Sequence, residues 1–398
     1  MGPLLLAAGG LLLQGCNGDD PLIPADPFEL VKSITVDGPA SGTDEPRGIV
    51  LDAAGNLYAS GCLDVPGQDK DIWIAKYDAN LNLLTSTTLN GSADGEDIGC
   101  MVALDGSGYL YIVGYVTEQG QDHNIWLAKY DTNLVLQQQV TVNGSENSTD
   151  DGYGLIYDGA GSLYVAGTVR EVGEGYNIWL ARYDTDLNQL ASTTLNGPGT
   201  NTDKGRFLVL DDSGNLFVSG SMTQAATGYD IWLGKFDTDL NLLDQVILAG
   251  PTADEDKGYG LVYDGAGTLY VTGTITYAGQ GYDIWLAKYD TDLNELDSVT
   301  LDGPANGEDV AYTLVLDGSR LFLTGVYTEL AGGPNVWIAR FGTDLALQAS
   351  TTVNGSADGY DSGIGLIRGF GADLYVSALM TELTGGLNIW LARYSIAP

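Results

Sequence analysis

From residue 28 onward, short apolar runs alternate with breaks rich in Gly, Asp and Asn, and no stretch sustains a helical spacing. The stretch that starts at Asp256 is representative. Gly258–Tyr263 is an apolar run, Asp264–Gly267 supplies turn chemistry, and Leu269–Gly273 is a second run. After a polar loop, Ile284–Tyr289 is a third run, Asp290–Asn294 a second tight turn, and Leu296–Leu301 a fourth run. The pattern predicts four short β-strands at hairpin spacing, called A, B, C and D in chain order. Strands B and C are apolar on both faces, so each small sheet must be covered on both sides.

The unit repeats. Trp73, Trp126, Trp179, Trp232, Trp285, Trp337 and Trp390 occupy the same place in strand C, 53 residues apart except for one interval of 52 (337 − 285). A fixed period of this length marks one supersecondary unit repeated along the chain. Glu29–Val36 matches strand D, and Asn388–Tyr394 matches strand C. The chain thus opens on an orphan D and closes on an orphan A-B-C. Joined, they complete a seventh blade and leave no exposed sheet edge. The expected fold is all-β: a seven-bladed β-propeller of four-stranded antiparallel blades, closed by the N-terminal strand D. It occupies residues 28–398, after a signal-like segment (1–16) and an Asp/Pro-rich tether (17–27). A glycine ends strand B in six repeats (Gly61, Gly114, Gly167, Gly220, Gly273, Gly325), with Ala378 in the seventh, and predicts a close approach between sheets.

The pattern Gly-x-Leu-Tyr-Val-x-Gly, a loop, then Asp/Asn-Ile-Trp-Leu-Ala-Lys-Tyr-Asp resembles the repeat of bacterial seven-bladed propellers found in secreted and surface proteins, over about residues 28 to 395. That resemblance implies an extracytoplasmic location and a scaffold or binding role, and its motif transfers no catalytic residue. Residues 2–15 are apolar, too short to span a membrane and of the length of a signal h-region. Leu13-Gln14-Gly15-Cys16 resembles the bacterial lipobox, which implies a diacylated Cys16 as the mature N-terminus. Asn17, where an aspartate would signal inner-membrane retention, implies the outer membrane.

Charge narrows the partners. The formal net charge is −37 and the pI about 4.1. Such a surface repels nucleic acid and anionic lipid, leaving a membrane only through the N-terminal lipid. It suits cations, basic partners or a high-salt habitat. Cys62 and Cys100, at different places in the repeat, make no disulfide framework.

Two charged positions recur in every repeat. Lys76, Lys129, Arg182, Lys235, Lys288, Arg340 and Arg393 sit inside apolar strand C, where an unpaired charge would be costly, so each should meet an acid or a carbonyl. Asp44, Asp97, Asp150, Asp203, Asp256, Asp309 and Asp361 precede strand A and are expected to circle the channel mouth. They either cap turns or hold a cation, with Ca²⁺ the ion that clustered carboxylates favour. Asp290–Asn294 and its copies share alternating oxygen donors with calcium loops, but they lack the sixth-position glycine and terminal glutamate and read as hairpin turns.

Positions that vary between repeats are where a ligand would be read. Three residues after the ring aspartate stand Arg47, Cys100, Tyr153, Arg206, Tyr259, Tyr312 and Ile364, and three before each tryptophan stand Lys70, His123, Tyr176, Tyr229, Tyr282, Pro334 and Leu387. Tyr153, Tyr176, Arg206, Tyr229, Tyr259, Tyr282 and Tyr312 are the candidate contacts on the loop face that D–A and B–C share, suited to a glycan or a peptide. The single histidine, His123, gives no Ser-His-Asp or Cys-His pattern, so no catalytic residue is assigned. The reading is a non-enzymatic, lipid-anchored binding or assembly scaffold at the cell surface. Two alternatives stand beside it: a self-assembling filament subunit connected through its N-terminus, and a polysaccharide-binding or polysaccharide-active protein.

Overall fold

The structure is a computed structural model and describes residues 28–199, 202–224, 228–279, 281–330, 332–383 and 386–396. Cys16, the signal-like segment and the tether lie outside the described residues. The described chain forms seven antiparallel four-stranded sheets, with no helix among those residues. The third blade, for example, runs Asp151–Tyr157, Ser162–Glu171, Gly175–Asp184, Gln189–Leu195, hydrogen-bonded in that order. In the seventh, Ser362–Arg368, Asp373–Glu382 and Gly386–Ile396 take Phe28–Val36 as the outer strand, pairing Phe28 with Ile396 and Val36 with Ile389. The ring closes as the repeat count predicts.

Burial follows from stacking. All seven tryptophans are at most 6 % exposed and pack between neighbouring sheets, as Trp126 does with Ile72, Ile74 and Leu110. Strand D is the outermost and the least covered, with Leu83, Leu84 and Leu243 exposed.

Three repeated devices lock blade to blade. The strand C cation reaches a carbonyl in the C–D turn of the next blade: Lys76 donates to Thr132 O at 3.0 Å, Lys129 to Thr185 O at 2.7 Å, Arg182 to Thr238 O at 2.7 Å, and Arg393 to Ala79 O at 3.1 Å across the closure. Those turns are held by an aspartate such as Asp237, whose Oδ1 accepts from the amides of Asp239 and Asn241. Each turn also places a leucine in the left-handed region (Leu240, φ 63°), a strain offset by burying its side chain. The ring aspartates are the third device. Asp203 accepts from Gly197 N and Thr223 N, both at 2.6 Å, while its own amide donates to Tyr176 O of the preceding blade at 2.8 Å.

Lys129 tests the first device, since it also pairs with Asp186 at 3.1 Å and its side chain is 12 % exposed. Lys129→Met is expected to lower unfolding stability by about 1–2 kcal/mol, the worth of a charged hydrogen bond, since Thr185 O keeps the Tyr111 hydroxyl as a donor at 3.1 Å. Chemical denaturation measures it, and a change within a few tenths would show the contact to be idle.

Candidate active site in the axial channel

The innermost strands of neighbouring blades pack side by side around the axis and enclose a cavity of about 770 Å³. Each strand A carries a register break opposite strand B, between Pro46 and Ile49, Gly99 and Met101, Gly152 and Gly154, Gly205 and Phe207, Gly258 and Leu261, Ala311 and Thr313, and Gly363 and Gly365. A bulge inserts a residue and re-aims its side chain. Within these breaks lie Arg47, Cys100, Tyr153, Arg206, Tyr259, Tyr312 and Ile364, and all seven line the cavity. The strand B glycine, expected at the strand's end and found inside it, permits this geometry: a Cβ on Gly167 would meet Asp151 O at 2.2 Å, and one on Gly220 would meet Lys204 O at 1.9 Å. The expected sheet-to-sheet approach is present as well: a Cβ on Gly258 of the fifth blade would meet Gly220 O of the fourth at 2.5 Å.

Among the candidate contacts, Tyr153, Arg206, Tyr259 and Tyr312 line the cavity; Tyr176, Tyr229 and Tyr282 do not. Tyr176 stacks under the Arg170 guanidinium, Tyr282 lies beside Lys257 and Glu255, and Tyr229 offers its carbonyl to the amide of Asp256. The ring aspartates cap backbone amides, the first of the two roles expected of them. All seven are 0 % exposed, and each accepts two backbone amides. Their oxygens cap the loop out of strand D and the end of strand B.

Four side chains from three consecutive blades form one hydrogen-bonded chain on the cavity wall. Lys204 Nζ donates to Tyr153 Oη at 2.9 Å, Tyr153 Oη donates to Asp151 Oδ2 at 2.7 Å, and His123 Nδ1 lies 3.2 Å from Asp151 Oδ1. An ionised Asp151 accepts from both sides, which assigns the proton to Nδ1 and leaves the lone pair on Nε2. His123 stacks on Tyr115, ring centroids 4.4 Å apart. Burial draws the imidazole pKa down, but the hydrogen bond and charge of Asp151, with Asp122 and Glu96, outweigh it and raise it above 6.5. Burial, then the nearby Arg206 charge, lowers the Lys204 ammonium to about 8. Tyr153 is pushed well above its ordinary value by burial and by Asp151, so it stays a donor.

A second network lies on the other side of His123. Glu45 accepts from Arg47 at 2.5 Å and from Lys70 at 2.6 Å, and Lys70 continues to Glu96 at 2.7 Å. Burial opposes ionisation of Glu45, but Arg47 and Lys70 prevail and hold its pKa below the usual value. Arg47 Nε is buried with no acceptor. The Arg206 guanidinium lies 4.9 Å from the Tyr259 ring centre, and Tyr259 meets Tyr312 edge-on. Arg47, Lys204 and Arg206 thus put three of only 16 basic residues into one cavity of a strongly acidic protein. Cys62 and Cys100 are free thiols, and burial pushes Cys100 up to about 12, which removes it as a nucleophile.

Glu45, Asp151 and Lys204 escaped the sequence reading. They follow the ring aspartate directly, at a position that reads Glu45, Ile98, Asp151, Lys204, Lys257, Val310, Ser362 around the ring. That change of charge type was the available signal.

No protein-family model matches the chain, and no curated protein does. Solved structures match its fold. One is a Bacteroides fragilis protein assigned as a 6-phosphogluconolactonase (TM-score 0.51, 12 % identity, 77 % of this chain and 84 % of that one). Another, from Bacteroides uniformis with the same assignment, has TM-score 0.51 and 10 % identity over 77 % and 85 % of the two chains. A third is the periplasmic gluconolactonase of Pseudomonas aeruginosa (TM-score 0.50, 9 % identity, 78 % and 84 %). At these identities the likeness carries the seven-bladed propeller, while the surface-protein repeat family has no matching model behind it. The expectation of a non-enzymatic protein is corrected by these names, since all three similar structures are called lactonases. That expectation rested on one histidine at a variable loop position, and His123 in fact meets Asp151 at the cavity wall.

Proposed function

We propose that this chain is an extracytoplasmic hydrolase that opens a small, polyhydroxylated, anionic cyclic ester, of the sugar-lactone class, in its axial cavity. The observation that carries the reading is the His123–Asp151–Tyr153–Lys204 chain facing that cavity. Nε2 of neutral His123 takes a proton from water as its oxygen bonds to the ester carbonyl carbon. Arg206 and Lys204 supply positive charge for the developing oxyanion. As the carbonyl re-forms, the ring C–O bond breaks, and the imidazolium returns its proton to the departing alkoxide. Arg47, with an unused N–H, would hold the substrate's anionic group, and Tyr259 and Tyr312 offer flat faces to a sugar ring. The volume suits a small molecule. The lactonase names of the similar structures, one of them periplasmic, favour this substrate class and location, and a lipid on Cys16 would anchor such an enzyme at the outer membrane.

The test is hydrolysis of gluconolactone and its 6-phosphate by the purified protein, followed against the spontaneous rate across pH. His123 must be neutral to act, and its raised pKa places the rising limb of kcat above pH 6.5. Loss of the Lys204 charge places the falling limb near pH 8. A rate equal to buffer with both lactones would reject the proposal.

A further inference from the structure

Away from the channel, the junction between the fifth and sixth blades gathers three carboxylates. Asp283 lies in strand C of the fifth blade, Gly281–Asp290. Asp302 follows strand D, Glu295–Leu301, and Asp309 is the ring aspartate ahead of Val310–Asp317. Gly307 and Glu308 pair in parallel with Gly281 and Tyr282, which holds the 302–309 loop against the strand that carries Asp283. One oxygen from each aspartate lies within 4.8 Å of the others. Calcium binds oxygens at about 2.3–2.6 Å, so two ligands on opposite sides of one ion stand about 5 Å apart. The spacing fits one ion.

A separate observation concerns Asp283. Its side chain is 3 % exposed, and its Oδ1 is buried with no hydrogen-bond donor. A buried carboxylate oxygen left this way is unfavourable unless something positive meets it. Asp309 gives one lone pair of each oxygen to the amides of Gly303 and Thr328, and a second remains on each. Asp302 is exposed and leaves the site open to solvent.

We propose that Asp283, Asp302 and Asp309 form a calcium site that ties the fifth blade to the sixth. Three hard oxygen donors with no nitrogen or sulfur select a hard cation over zinc. A ligand set drawn from a strand, a loop and a neighbouring blade suits the adaptable coordination of calcium better than the strict octahedron of magnesium.

The repeat supplies natural controls. At the same spacing, the first-to-second junction offers Asp71, Asn90 and Asp97, with Asp71 Oδ1 and Asn90 Oδ1 both buried and unsatisfied. The fourth-to-fifth junction offers Asp230 and Asp256, but Ala249 stands where Asp302 would be. Affinity should fall in that order as carboxylates are lost.

The experiment is titration of chelator-treated protein with calcium chloride, read by calorimetry and by the thermal melt. Terbium luminescence sensitised through tryptophan, with Trp285 two residues from Asp283, gives an independent reading. The expected result is saturable binding and a melt raised by calcium. Asp302→Ala, which reproduces Ala249 at an exposed position, should weaken the tightest phase by ~10-fold or more. An equal calcium response in Asp302→Ala and the parent protein would overturn the site, as would no response of the parent to millimolar calcium.

Discussion

Replacing Asp151 by asparagine is expected to lower kcat for lactone opening by about 10²–10⁴, the usual contribution of a positioned general base. The carboxylate accepts from His123 on one side and from Tyr153 on the other. An amide can accept from only one of them and turns its own N–H₂ toward the second donor. The imidazole then loses both its orientation and the anion that raises its pKa. The rising limb of the pH–rate profile should move to lower pH, a shift that a merely structural defect would not cause. Asp151 acts through His123, so Asp151→Asn combined with His123→Gln should be little worse than either alone. An unchanged profile in Asp151→Asn, with the melt preserved, would remove the dyad from the mechanism.

The second large effect is on stability. Asp203→Ala leaves the amides of Gly197 and Thr223 without an acceptor in a fully buried place. Each orphaned donor costs about 1–3 kcal/mol, so a loss of about 2–6 kcal/mol is expected in denaturant unfolding. A loss below 1 kcal/mol would mean that water satisfies both amides. The ring aspartates also set how stability follows pH. Burial outweighs the amide bonds and raises Asp150 to about 6 from its unfolded 3.8. A raised folded value means the unfolded chain ionises more readily, so the penalty is fully present above pH 6 and fades as pH falls toward 3.8. Acidification also relieves repulsion in a chain of net charge −37. The opposite applies to the turn aspartates such as Asp237, whose bonds to Asn241 hold the pKa below 3.8 and whose contribution is lost only in stronger acid.

The sequence by itself determined the period, the four strands, the closure of the ring and the structural role of its recurring charges. Those features repeat, and repetition fixes them: a tryptophan every 53 residues can only be a stacked unit, and a cation inside every strand C must find an oxygen. Tertiary structure alone decided which variable residues meet. His123 and Asp151 are 28 residues apart, and Tyr153 and Lys204 are 51 apart, in three different blades. Side chains alternate along a regular strand, so simple alternation misassigns the face once a bulge intervenes. The bulge turns Tyr153 and Arg206 into the cavity, while Tyr176, Tyr229 and Tyr282, grouped with them by sequence, stay outside it. For the ring aspartates the sequence offered two roles, turn cap or cation ligand, and only folding showed all seven buried against backbone amides.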